Sequence, residues 1–465
     1  MIDVLAALRS GDTSFLDEEL LHTWVVEQRW FAAKSREVAQ INVLDCILLS
    51  EQSPVLALLF VETRFSTGTH DVYQVPVGLR PTADGWSDRV IGEVDGWTFY
   101  DALSDAEHGR RLLELMRAGT ELGDARFCPA PGGPEIEALT DMRPMGVEQS
   151  NTSIVFGDQF VLKAFRRLEP GDNPELELLR FLTAHNFTNI APLAGWYEYE
   201  GRLIDATLGV VASFVSSGRD GWESTLDALA AGEGSGRLLE ELRDLGRVTG
   251  TMHSILGSDP GDAAFAPARP TAEAMSLLTA TLDEEIERVW RELPDGLDVL
   301  EPIRNREQDL RELLQGLSHL SAAGMEIRTH GDFHLGQTML TDTGWVILDF
   351  EGEPARPLSE RRLKRSPLRD VAGLLRSFSY AATAAVRGGA DVPELWEQQA
   401  RDAFLEGYFE EVDDFLLPPG QNPVGQLLAI FELEKAVYEL RYELNNRPDW
   451  VSIPVAGILR LLEEQ

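Results

Sequence analysis

Along the first ninety residues the apolar positions pass from helical spacing to strand runs. An acidic helical stretch comes first. Val55-Leu56-Ala57-Leu58-Leu59-Phe60-Val61 and Asp71-Val72-Tyr73-Gln74-Val75-Pro76-Val77 then read as β-strands. Pro81-Thr82-Ala83-Asp84-Gly85 breaks that pattern, and a helical connector follows from Thr98–Leu103 through Leu112–Met116. Pro129-Ala130-Pro131-Gly132-Gly133-Pro134 is the clearest linker in the chain. Residues 136–215 are again β-rich with one helix, and after Gly218-Arg219-Asp220-Gly221 the remainder is mostly helical. One hairpin interrupts it, Thr338–Leu340 and Trp345–Phe350, turned at Asp342-Thr343-Gly344. The pattern predicts an α+β, bilobal chain in four segments: a β-rich N-terminal subdomain over 1–90, a connector and linker over 91–135, a β-rich lobe over 136–216 and a helical lobe over 217–465.

Composition narrows the partners. At 465 residues the chain exceeds one ordinary core, and 43% hydrophobic with 26% charged residues describes a globular protein. The formal net charge of −37 leaves no surplus of Lys and Arg to displace counterions from nucleic acid, and it disfavours anionic membranes. Cys46 and Cys128 are too few for a disulfide framework or a thiolate metal cluster. Met1-Ile2-Asp3-Val4 lacks the basic and apolar regions of a signal peptide, and the apolar run Val371–Val386 is interrupted by Arg376. These features point to the cytoplasm.

Candidate chemistry concentrates in Thr329-His330-Gly331-Asp332-Phe333-His334-Leu335-Gly336-Gln337, followed by Val346-Ile347-Leu348-Asp349-Phe350-Glu351. Asp332 and Gln337 have the D-x-x-x-x-[N/Q] spacing of a kinase catalytic loop, and Asp349 ends a strand-like apolar run. Asp332 would accept a hydrogen bond from an attacking hydroxyl. Gln337 and Asp349 would offer oxygens to Mg²⁺, a hard cation that takes carboxylate and amide ligands. Such a set suits phosphoryl transfer from ATP, where positioning and charge neutralisation dominate. His330 and His334 read as groups ordering the loop rather than as zinc ligands, because the remaining ligands would have to come from elsewhere.

Lys163, in the strand pattern Phe160-Val161-Leu162-Lys163-Ala164-Phe165 opposite Thr152–Phe156, is the candidate clamp for the α- and β-phosphates. Its anionic partner is placed at Glu177, with Glu175 second, on a helix started by Asn173 and Pro174. The loop Glu148-Gln149-Ser150-Asn151-Thr152-Ser153 is assigned to phosphate through its backbone N–H groups, with an ordinary turn as the alternative. The basic run Arg361-Arg362-Leu363-Lys364-Arg365 either faces phosphates or is a solvated loop; the loop is preferred.

The last long helix, Val424–Asn445, divides into two faces. Leu427, Ile430, Leu433, Val437, Leu440 and Leu444 point inward. Lys435, Tyr438, Glu439, Tyr442 and Glu443 share another face, which serves either as a sugar pocket or as a solvated surface.

Taken together, these residues resemble the actinobacterial maltokinases, a branch of the aminoglycoside-phosphotransferase-like kinases. The likeness extends to Trp24 with Gln28–Lys34, Asn173-Pro174 with Glu177, Asp349–Pro354, Ser366–Gly373 and Glu432–Glu439. It implies a protein-kinase-like fold with an N-terminal cap, ATP-dependent phosphorylation of maltose at its anomeric hydroxyl, and supply of maltose 1-phosphate to α-glucan synthesis. A complex with a trehalose-isomerising enzyme is also implied. Under it the acceptor residues are His330, Lys435, Tyr438, Glu439, Tyr442, Glu443 and Trp450. The sequence Asp-Phe-Glu replaces the Asp-Phe-Gly of protein kinases, so Glu351 is a further candidate metal ligand. A glucosamine kinase is the nearest alternative, since Glu439 and Glu443 suit an ammonium group. A silent ATP-binding scaffold is disfavoured, because Lys163, Asp332, Gln337 and Asp349 are all intact.

Overall fold

The unbroken apolar run at 55–61 becomes the first part of a strand with two covered faces. In the computed structural model, which describes residues 3–463 except 17, 138, 140, 146–150, 203, 235 and 316–322, the chain forms two compact units, 1–216 and 217–465. In the first unit β1 (Val38–Ser50), β2 (Val55–Phe65), β3 (His70–Pro81), β4 (Val90–Val94) and β5 (Trp97–Asp101) form an antiparallel sheet in the order β1-β2-β3-β5-β4. Alternate residues of β2 enter different cores. Ala57, Leu59 and Val61 pack in a cluster with Trp24, Trp30 and Phe31, whereas Leu56, Leu58 and Phe60 pack in another with Phe127, Leu162 and Tyr197. A strand of period two buried on both sides has no polar face to keep, which explains its composition.

The second sheet contains β6 (Glu121–Leu122), β7 (Ala125–Pro129), β8 (Met142–Pro144), β9 (Asn151–Phe156) and β10 (Phe160–Phe165), with β12 (Leu193–Glu200) and β13 (Asp205–Ser213), in the order β6-β7-β12-β13-β10-β9-β8. Between β10 and β12, β11 (Arg167–Leu168) leaves this sheet to pair with β3. The stretch read as a connector therefore supplies β6 and β7 here and β5 with most of β4 to the first sheet, so Thr98–Asp101, expected as helix, is strand, and the helix begins at Ala106. Phe127 and Tyr197 stack across the β7–β12 pair, 5.8 Å apart, a long-range pairing that local periodicity does not encode.

In the second unit the helices Arg237–Leu256 and Trp396–Glu411 approach closely because both are notched by glycine. A Cβ at Gly250 would lie 2.7 Å from the Tyr408 carbonyl oxygen. The helices Leu368–Arg387 and Gln421–Asn446 pack on each other and carry most of the residues described below. A small sheet of β14 (Arg219–Asp220), β15 (Thr338–Thr341) and β16 (Gly344–Ile347) completes this unit. The expected strand Trp345–Phe350 stops at Ile347, because Asp349 adopts the left-handed region at φ 61° and cannot continue a strand. Among the described residues no helix is long and apolar enough to cross a membrane.

Candidate active site

Lys163 lies in β10 opposite Ser153 of β9, and its ammonium group pairs with Glu175 at 2.6 Å. That corrects the preference for Glu177. Asn173 caps the helix Pro174–Ala184 by accepting from the Glu175 N–H, so Glu175 occupies the first turn. Glu177 lies roughly 200° further round the helix and is itself buried. The expected phosphate loop is resolved into strand positions. Ser150 lies outside the described residues; Asn151, Thr152 and Ser153 begin β9. The pleat sends Thr152 to the face opposite Ser153, where it is 2% exposed and accepts from Arg166 Nε at 2.8 Å. Its side chain is thus committed to structure, and Asn151 and Ser153 share the Lys163 face.

In the second unit the expected catalytic-loop segment, Thr329–Gln337, is hung from one buried carboxylate. Asp370 accepts from the backbone N–H groups of His330 at 2.7 Å and Gly331 at 3.0 Å. His253 and Tyr408 back it: His253 Nε2 is 3.2 Å from Asp370 and its Nδ1 is 3.1 Å from the Tyr408 hydroxyl. Burial opposes the charge on Asp370, but His253, His330 and the Gly331 N–H outweigh it and hold the carboxyl below its ordinary value. Gly373 lets the loop sit on its helix, since a Cβ there would lie 2.6 Å from the Phe333 carbonyl oxygen. This anchoring was not legible from the sequence, because Asp370 and His330 are forty residues apart.

His330 differs from its assignment as an acceptor contact. It is 1% exposed, gives Nε2 to the Leu348 carbonyl at 2.8 Å and packs between Phe333 and Phe350. It orders the loop, the role also expected for it from the sequence. Beyond it Gln337 donates to Asp349 Oδ2 at 3.0 Å. Two oxygen-bearing side chains meet there on a residue held at positive φ, a cost that persists at functional sites. A carboxylate and an amide oxygen fit the donor preference of Mg²⁺. Glu351 follows in sequence and lies 3.9 Å from Arg361 Nη1.

Asp332 lies at the edge of a cavity of about 420 Å³ whose walls include His334, Tyr380, Lys435, Tyr438, Glu439, Tyr442, Glu443 and Arg447. The helix expected over Val424–Asn445 spans Gln421–Asn446, with Leu427, Ile430, Leu433, Val437 and Leu440 buried. Its polar face lines this space. Lys435 Nζ is 3.5 Å from Asp332 Oδ1. Burial works against the Lys435 charge, yet Asp332, Glu439 and Glu353 raise its pKa above the ordinary lysine value. Tyr438 and Tyr442 stack 6.5 Å apart, giving flat apolar surface.

Each carboxylate of the wall has a partner. Arg376 donates to Glu439 from Nη2 at 2.7 Å and from Nε at 3.1 Å. Glu443 accepts from Arg447 at 2.6 and 2.9 Å and from the Tyr380 hydroxyl at 2.9 Å. Trp450 stands behind the wall, stacked on Tyr380 at 6.1 Å, rather than in it. His334, Ser377 and Tyr380 escaped the sequence reading as cavity residues, as did Arg376, buried behind Glu439. Ser377 and Tyr380 lie one helical turn and two beyond Gly373, the spacing that could have revealed them. Burial lowers the His334 pKa, so its imidazole presents a neutral ring to the cavity, with Nδ1 accepting from the Gly336 N–H.

The comparisons with known proteins agree with this geometry. Residues 141–391, more than half of the chain, match the model of the phosphotransferase enzyme family, and residues 24–105 match the maltokinase N-terminal cap domain. A glucosamine kinase of Streptacidiphilus jiangxiensis is 25% identical over 414 residues, covering 84% of this chain and 89% of the relative. Another, from Mycolicibacterium smegmatis, is 27% identical over 337 residues, covering 69% and 80%. A solved glucosamine kinase in complex with glucosamine, ADP and inorganic phosphate shares the fold, with a TM-score of 0.72 at 21% identity over 95% of this chain and 98% of that one.

Proposed function

Because this chain belongs to the phosphotransferase enzyme family and carries a maltokinase N-terminal cap domain, we propose that it transfers the γ-phosphoryl group of ATP to maltose, at the anomeric hydroxyl. One observation carries the choice of a neutral acceptor. Every carboxylate bordering the cavity is matched by a cation: Glu439 by Arg376, Glu443 by Arg447, and Asp332 by Lys435. An ammonium group entering there would find no unneutralised negative charge, whereas hydroxyl groups find donors, acceptors and two stacked tyrosines.

In this reading Asp332 accepts a hydrogen bond from the attacking hydroxyl and turns its oxygen toward the phosphorus. Lys435, paired with Asp332 at 3.5 Å, holds its carboxylate in place. Lys163, oriented by Glu175, is assigned to the α- and β-phosphates. Asp349 and Gln337 would hold Mg²⁺, which neutralises charge on the phosphate oxygens. The cavity volume of about 420 Å³ lies within the ~300–1,000 Å³ usual for small-molecule sites.

Glucosamine is the second reading, favoured by the names of the relatives. ADP release measured with maltose, glucosamine, glucose and kanamycin separates the two. Maltose is expected to support turnover at least tenfold above glucosamine; the reverse order would replace maltose by the amino sugar and leave phosphoryl transfer intact.

A further inference from the structure

The basic run at 361–365, preferred from the sequence as a solvated loop, is built into a pocket. The backbone of Arg365 bridges to that of Ile327 in both directions, at 2.8 and 2.9 Å, and Lys364 donates to the Ala263 and Ala266 carbonyls at 2.9 and 2.5 Å. These bonds fix the segment against the residues that lead into the catalytic loop. Four guanidinium groups, of Arg356, Arg361, Arg365 and Arg369, face one space of about 130 Å³. In a chain of net charge −37 that is a notable concentration of positive charge. Asp332, Lys435 and Tyr438 border both this pocket and the sugar cavity, so the two are neighbours across the catalytic aspartate.

Acidic residues share the pocket, and they position the arginines rather than exhaust them. Glu434 pairs with Arg369 at 2.9 Å, Glu353 with Arg356 at 2.6 Å, and the Glu351 carbonyl accepts from Arg361 at 3.1 Å. Arg369 turns Nη1 and Nη2 to Glu434, at 3.1 and 2.9 Å, and since a guanidinium has five N–H donors this leaves others for a ligand. Arg369 is further held over the Phe431 ring, 4.8 Å from its centroid. Among the described residues no carboxylate lies within 4.0 Å of the Arg365 side chain. Burial, then Arg369 and Arg356, lower the Arg365 pKa from its ordinary value, with Glu326 and Glu434 acting against them. The five carboxylates of the pocket equal its five cations in number, but Arg365 pairs with none of the described ones within 4.0 Å and feels Arg369 and Arg356 more strongly than Glu326 and Glu434, so a dianion held there would relieve local repulsion.

We propose that this pocket binds a dianionic phosphate group through Arg365 and Arg369, either as free inorganic phosphate or as the monoester of a sugar lying in the adjoining cavity. The inference rests on the sugar-kinase reading only for the second source.

Calorimetric titration of the full-length protein with inorganic phosphate, without nucleotide, tests it. Saturable binding is expected, weakened at least about tenfold in Arg365→Gln and largely kept in Arg365→Lys. Lys163→Met, which disables the assigned nucleotide clamp, should leave this binding unchanged. Because the Arg365 side chain pairs with no carboxylate among the described residues, the melting temperature of Arg365→Gln should stay near that of the wild type, which separates a binding effect from unfolding. Titration with glucose 1-phosphate distinguishes the sources. A monoester binding tenfold tighter than phosphate, with the advantage lost in Tyr442→Ala, identifies the sugar-linked group; equal affinities identify free phosphate. Absence of saturable binding to either ligand, or binding indifferent to both Arg365 variants, would overturn the proposal. Failure of maltose to turn over would appear only in ADP release and not in these titrations.

Discussion

Asp332 has few structural duties, which makes it a clean probe of chemistry. Its side chain is a quarter exposed and, among the described residues, its one close ion pair is with Lys435. Asp332→Asn keeps shape and removes the charge; turnover should fall by about 10²–10⁴-fold, the usual worth of a positioned base, with an unchanged melting temperature. Unaltered phosphoryl transfer would contradict the assignment. The Lys163 partner is a second residue-scale test. Glu175→Gln should lower kcat/KM for ATP at least about tenfold and by more than Glu177→Gln does. The sequence made Asp332, Gln337, Asp349 and Lys163 legible because their spacing and strand context are local. The choice between Glu175 and Glu177 was not, because it depends on which side of a helix turns toward a strand. His108 is a third case. It is fully buried, neither ring nitrogen has a hydrogen-bond partner among the described residues, and burial pushes its pKa down to about 4. The unfolded chain binds that proton near pH 6.5, so between 6.5 and 4 the unfolded state holds more protons. Stability is therefore lost as pH falls through that window, by about 3 kcal/mol in all. Urea denaturation of His108→Leu across pH 4–7 should show this slope removed.

At the scale of elements, the last long helix was almost fully legible, its inward leucines and valines recurring at helical spacing. Its polar face was legible only as alternatives, since what decides between them is another helix. Arg376 and Tyr380 come from Leu368–Arg387 and reach Glu439 and Glu443 across 63 residues of sequence. Arg376 and Glu439 are both buried, so Arg376→Met strands a carboxylate; a loss of about 3–5 kcal/mol is expected from thermal denaturation, partly restored by Glu439→Leu in the same chain. The hairpin was legible, but not its early end at Ile347. That end reflects the backbone at Asp349, and substitution there separates conformation from charge. Asn tolerates positive φ better than Ala does. Asp349→Asn should keep the melting temperature and abolish activity, while Asp349→Ala should lose activity and about 1 kcal/mol besides.

For each unit as a whole, the sequence conveyed class and order but not how elements share a core. Residues 1–90 read as a module of their own, yet Ile47, Leu49, Leu56, Leu58 and Phe60 pack in one cluster with Phe127, Leu162 and Leu208. The reason is visible in β2, whose two faces serve two cores. Deleting residues 1–90 would uncover one whole side of the second cluster. The shortened chain should lose cooperative thermal unfolding of its first unit, and circular dichroism with limited proteolysis would register that; a stable, protease-resistant remnant would show the packing to be dispensable.

Asp370 ties two matters usually treated apart. The helix that suspends the catalytic-loop amides is the same one whose next turns, at Gly373, Ser377 and Tyr380, shape the space for the acceptor. A shift of that rod to admit a bulkier sugar would tow Asp332, the proposed aligning group, along with it. Engineers who seek a new acceptor by altering this helix should therefore meet a compulsory trade-off between tolerance and speed, while changes on the Tyr442 side escape it.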